Sequence, residues 1–67
     1  MANPIMQFFS YKHLPDNELR SISIECTELA ESMDDTLPDG PEKSAGLRKL
    51  LEAKDCFVRA VIQGRSS

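Results

Sequence analysis

Two prolines three residues apart, in Pro38-Asp39-Gly40-Pro41, forbid a helix through the middle of this chain. On either side the apolar residues recur at three-four spacing, so the sequence predicts two helices joined by this turn, with Gly40 free to take a positive φ. The first is expected over 15–37, opening where Pro15 or Asp16 precedes an acidic first turn with Glu18. The second should begin with Pro41 at its first position and run over 41–63, ending at Gly64. Residues 1–14 form a separate segment carrying Phe8, Phe9 and Tyr11, three of the four aromatic side chains, with Phe8 and Phe9 expected to anchor it. The expected fold class is all-α: a single helical domain, built as an antiparallel hairpin with an N-terminal segment.

The two helices differ in how much surface they must bury. In the first, Leu19, Ile22, Cys26, Leu29, Ala30 and Met33 gather into one arc about 100° wide, with Ile24 outside it, either a lone exposed residue or a contact between subunits. In the second, apolar positions from Leu47 through Phe57 to Ile62 spread over roughly 240° of the wheel. One antiparallel partner cannot cover such an arc. A chain of 67 residues buries only about 60% of its unfolded surface and needs something beyond its own core. Two cysteines, Cys26 and Cys56, both inside apolar-periodic segments, read as reduced core residues. With His13 as the single histidine there is no four-ligand metal set, so no metal or cofactor is expected and a closed homo-oligomer is.

Charge is divided along the chain. Residues 14–39 hold eight acids and one base, net −7, and residues 40–67 hold six bases and three acids, net +3. The halves attract in a hairpin, although exposed pairs add only about 0 to 1 kcal/mol each. A total of −3 disfavours DNA or RNA polymers, whose affinity comes from many phosphate contacts. Met1 to Phe9 lacks a positively charged start and no run of 18 apolar residues exists, so a cytoplasmic protein without a membrane anchor is expected.

Catalytic signatures are missing: there is no Ser-His-Asp or Cys-His arrangement and no Gly-rich phosphate loop, and Glu25, Glu28, Glu31, Asp34 and Asp35 read as a solvated face. Binding is easier to build. Pro41-Glu42-Lys43-Ser44 opens a helix with free N–H groups, an ammonium and a hydroxyl, either a phosphate seat or an ordinary helix start with a solvated lysine. Lys54 falls inside the apolar arc, where it must snorkel, pair with an acid of a neighbouring subunit or meet an anionic ligand. Tyr11-Lys12-His13 puts a ring, a cation and an imidazole in succession, suited either to a nucleotide or to anchoring the segment.

Tyr11-x-His13-x-Pro15, Leu29-Ala30 and Pro41-Glu42-Lys43-Ser44-x-x-Leu47-x-x-Leu50-x-x-Ala53 resemble the small bacteriophage anti-CBASS proteins that act as cyclic-oligonucleotide sponges. The resemblance spans residues 7–62. It implies a compact all-helical homohexamer in the cytoplasm of an infected bacterium, binding cyclic dinucleotides such as cyclic GMP-AMP, and in some members cyclic trinucleotides, without hydrolysing them. It further implies that Tyr11 stacks on a base and that Lys43 and Ser44 contact phosphate or base. The chain departs from the family pattern at Lys43, often arginine there, and at Glu25, Cys26 and Thr27, where a basic residue is usual. The candidate ligand-binding set is Tyr11, Lys12, His13, Lys43, Ser44, Leu47 and Lys54. The alternative is a small helical oligomeric protein-interaction module without a small ligand; a nucleotide-hydrolysing enzyme is the least favoured reading.

Overall fold

The structure, a computed structural model, describes residues 3–9 and 16–66. It is an all-α hairpin: a short 3₁₀ turn, Pro4–Phe8, then α1, Asn17–Thr36, and α2, Pro41–Ser66. The two long helices pack along each other, and the N-terminal turn lies against α2.

Each start is set by local chemistry. Asn3 caps the N-terminal turn, its Oδ1 accepting the Ile5 N–H at 3.1 Å, with Pro4 supplying a preset φ. Asp16 caps α1, its Oδ1 accepting the Leu19 N–H at 3.0 Å. The Gly40 carbonyl accepts the Ser44 N–H at 3.2 Å and so starts α2 behind Pro41. No glycine among the described residues has a positive φ. The turn is therefore made by the two prolines and the extended backbone of Leu37, whose N–H closes α1 onto the Met33 carbonyl at 3.0 Å.

Gly64 does not end α2, which continues to Ser66. A glycine inside a helix is unfavourable by about 1 kcal/mol, and the last turn is held instead by Arg65. Its guanidinium takes Asp16 with both terminal nitrogens, at 2.8 and 3.2 Å, and Glu18 at 2.9 Å. The end of α2 is thereby tied to the cap of α1. Arg65 and the Leu19 N–H together hold the Asp16 carboxyl down at about 2. A carboxylate depressed in the fold stabilises above its unfolded pKa near 4 and loses that contribution as pH falls toward 2. Arg65→Gln should thus lower the melting temperature by a few degrees at pH 7, and thermal scans from pH 4 to pH 2 should find the difference closing.

The core is small. Phe9, just after the N-terminal turn, Ala30 of α1 and Leu47 of α2 form it, with Met6, Met33, Leu50 and Leu51 packed around them. Leu19 and Cys26 extend the buried face of α1, while Leu29, expected on that face, is exposed. Ile24 is half-buried. Cys26 is a buried thiol whose pKa burial pushes up, whereas Cys56, expected inside, is exposed with the Arg59 guanidinium 3.3 Å from its Sγ. Phe9 anchors the N-terminal turn, but Phe8 points outward and is 56% exposed. Phe57 and Ile62 on α2 remain about half-exposed, so within the single chain the wide apolar arc is only partly covered.

Candidate functional site

The described candidate residues divide between two faces of α2. Lys43, Leu47 and Lys54 recur at four and seven residues, which places all three on the buried side of the helix. Ser44 lies one position round, on the side facing the N-terminal turn. Tyr11, Lys12 and His13 lie outside the described residues.

Lys43 is neither a solvated lysine nor an open phosphate seat. Its ammonium lies 2.9 Å from an Asp34 carboxylate oxygen and 2.8 Å from Asp39 Oδ1, and it also donates to the carbonyls of Asp34 at 2.6 Å and Leu37 at 3.3 Å. It closes the interhelical turn. Asp34 is correspondingly buried, not part of a solvated face, while Glu25, Glu28, Glu31 and Asp35 are exposed. The hydrogen bond from Lys43 holds the Asp34 carboxyl below the usual carboxylate range, and the carboxylates of Asp39 and Asp34 raise the Lys43 ammonium. Asp34 also accepts the Asn3 backbone N–H, at 3.3 and 3.1 Å on its two oxygens. One buried carboxylate thus joins the N-terminal turn to both helices.

Lys54 meets a fourth environment, distinct from the three considered above. It is 7% exposed, donates to the Phe8 carbonyl at 3.2 Å and sits 5.8 Å from the Phe9 ring centroid, with Asp55 marginal at 4.0 Å. The partner is the chain's own N-terminal turn, 46 residues away. Leu47 is buried in the core and, with Lys43, Met33 and Leu50, lines a small, mostly apolar cavity of about 170 Å³.

Ser44 borders a larger and more open space. Between the N-terminal turn and α2 runs a groove of about 480 Å³, within the usual range of small-molecule sites. It is lined by apolar Pro4, Ile5, Phe8 and Leu51 and by polar Asn3, Gln7, Ser44 and Arg48. Asn3 Nδ2 donates to Ser44 Oγ at 3.0 Å, which leaves the Ser44 proton to donate elsewhere. Arg48 and Phe8 lie outside the candidate set read from the sequence, which assigns Phe8 only an anchoring role. The available signal was the spacing Ser44, Arg48, Leu51, one stripe of a helix, and the alternation of neighbouring rings at Phe8 and Phe9.

Among the described residues no helix is long and apolar enough to cross a membrane, and no group of three or more His, Cys, Asp or Glu is placed to hold a metal ion. Compared with known proteins, the chain matches no family model, no curated protein and no solved structure.

Proposed function

We propose that this chain binds cyclic oligonucleotide second messengers, cyclic dinucleotides such as cyclic GMP-AMP and also cyclic trinucleotides, and withholds them without cleavage, so blocking CBASS anti-phage immunity in the host cytoplasm. The observation that carries this reading is the groove beside Ser44, which combines an exposed ring, a guanidinium and neutral hydrogen-bonding groups in a space of ligand size. The sequence resemblance at Tyr11 and Ser44 supports the same ligand class. Stacking contributes about 1 to 3 kcal/mol per base, and charge-assisted bonds to phosphate add to it.

The groove's described side chains suit binding more than turnover. Arg48 offers a flat fork of donors, and Asn3 and Gln7 offer neutral amides. Such groups hold and orient a ligand. The exposed Phe57 and Ile62 support assembly into a homo-oligomer, in which copies of α2 cover each other's apolar arcs. The same exposed strip favours the second reading, a protein-interaction module without a small ligand.

Calorimetric titration with a panel of cyclic di- and trinucleotides separates the readings. The sponge predicts saturable heat with at least one ring. No heat with any of them, together with stable association to another protein, supports the interaction module.

A further inference from the structure

We infer that Phe8 and Arg48 are the recognition pair of the groove at the head of α2, the Phe8 ring stacking on a base and the Arg48 guanidinium taking the adjoining phosphate. This assignment rests on the cyclic-oligonucleotide reading and names residues outside the set implied by the resemblance.

The cations distinguish themselves by what already holds them. Lys43 is enclosed by Asp34 and Asp39, Lys54 by the Phe8 carbonyl and Phe9, and Arg65 by Asp16 and Glu18. For Lys43 to bind a phosphate it would have to leave two carboxylates and two carbonyls. Arg48 lines the groove, is exposed, and has no hydrogen bond or ion pair within the described residues. A guanidinium offers five donors in a flat fork that matches phosphate oxygens two at a time.

Phe8 is held for a purpose that burial does not explain. The following residue, Phe9, is locked in the core, and the Phe8 carbonyl is bonded by Lys54, so the backbone is fixed on the C-terminal side of Phe8, whose exposed side chain lines the groove. An exposed ring on a fixed backbone loses little freedom when a base stacks on it. Ser44 and Arg48, four residues apart on α2, project from the same stripe. The Ser44 hydroxyl, already accepting from Asn3, has its proton left for a phosphate oxygen. Gln7, lining the groove beside Phe8, supplies an amide for the base edge.

The test uses the full chain and titrates cyclic GMP-AMP and a cyclic trinucleotide into wild type, Phe8→Ala, Arg48→Gln and Tyr11→Ala, with melting temperatures recorded alongside. Phe8→Ala and Arg48→Gln should each weaken binding by about tenfold or more at a melting temperature close to wild type, and Arg48→Lys should recover part of the loss. Wild-type affinity in both Phe8→Ala and Arg48→Gln, with wild type binding tightly, overturns the assignment alone. Absence of binding by wild type overturns the underlying reading as well. Loss confined to Tyr11→Ala places the stacking ring there and also rejects Phe8.

Discussion

Replacing Leu47 with alanine is expected to leave most of the protein unfolded at physiological temperature. Leu47 is 2% exposed and meets Phe9, just after the N-terminal turn, and Ala30 of α1, so it joins the N-terminal segment and both helices in one contact set. Truncating a buried leucine costs about 2 to 5 kcal/mol, the spread reflecting how far the surroundings collapse into the gap. Collapse is limited here, because Ala30 opposite is already the smallest apolar side chain. Small domains commonly hold only about 5 kcal/mol in total, so the loss approaches the whole. Circular dichroism during heating checks this: a broad, early transition is expected, and a melting temperature within a few degrees of wild type would contradict the central place given to Leu47.

The second large effect is at Asp34. Asp34→Ala should lower the melting temperature by about 10 °C or more, because it takes from a buried ammonium its one buried carboxylate, leaving the exposed Asp39 and two carbonyls, and orphans the Asn3 N–H as well. Breaking one side of a buried ion pair is worse than removing both. The double variant Asp34→Leu, Lys43→Met should therefore melt closer to wild type than Asp34→Ala does. The same substitution should loosen the N-terminal turn, which Asp34 holds through Asn3, so protease cleavage near residues 3–9 should accelerate. If Asp34→Ala melts like wild type, the carboxylate is not the junction between turn and hairpin.

The hairpin was legible because its signals are local. The prolines at 38 and 41 stop one helix and start another, and an aspartate at 16 caps the first. These need no tertiary context. What was not legible depends on register between distant segments. The partner of Lys54 is a backbone carbonyl 46 residues earlier, which no side-chain pattern announces. Lys43 reaches Asp34 across the turn, so a lysine at a helix start looked available when it is enclosed. Gly64 has every mark of a helix end, yet Arg65 beyond it is gripped by Asp16 and Glu18 at the far end of the hairpin. The division of labour between Phe8 and Phe9 follows from the tight 3₁₀ turn, which sends neighbouring side chains in different directions. Composition and wheel angles register how much apolar surface exists; they do not say which ring faces the groove.

The acid and base limits of the network follow from its charges. Asp34 and Asp39, both depressed by Lys43, stabilise above the ordinary carboxylate pKa and lose that contribution as pH falls through their lowered values. Lys43, raised by the same carboxylates, contributes at any pH below its unfolded value and loses that contribution only as pH climbs past its raised one. Across neutral pH the turn therefore keeps one ionisation state, and the groove wall hung from Asp34 should be equally well formed from mildly acidic to mildly basic conditions.

The most direct measurement is recovery of the ligand. Purified protein is dialysed to equilibrium against cyclic GMP-AMP, the loaded protein is heated to release what it holds, and the released material is resolved by mass and chromatography. Free ligand should fall during dialysis and the released molecule should be the intact ring; a linearised or dephosphorylated product, or no depletion with cyclic GMP-AMP or with a cyclic trinucleotide in its place, would contradict sequestration.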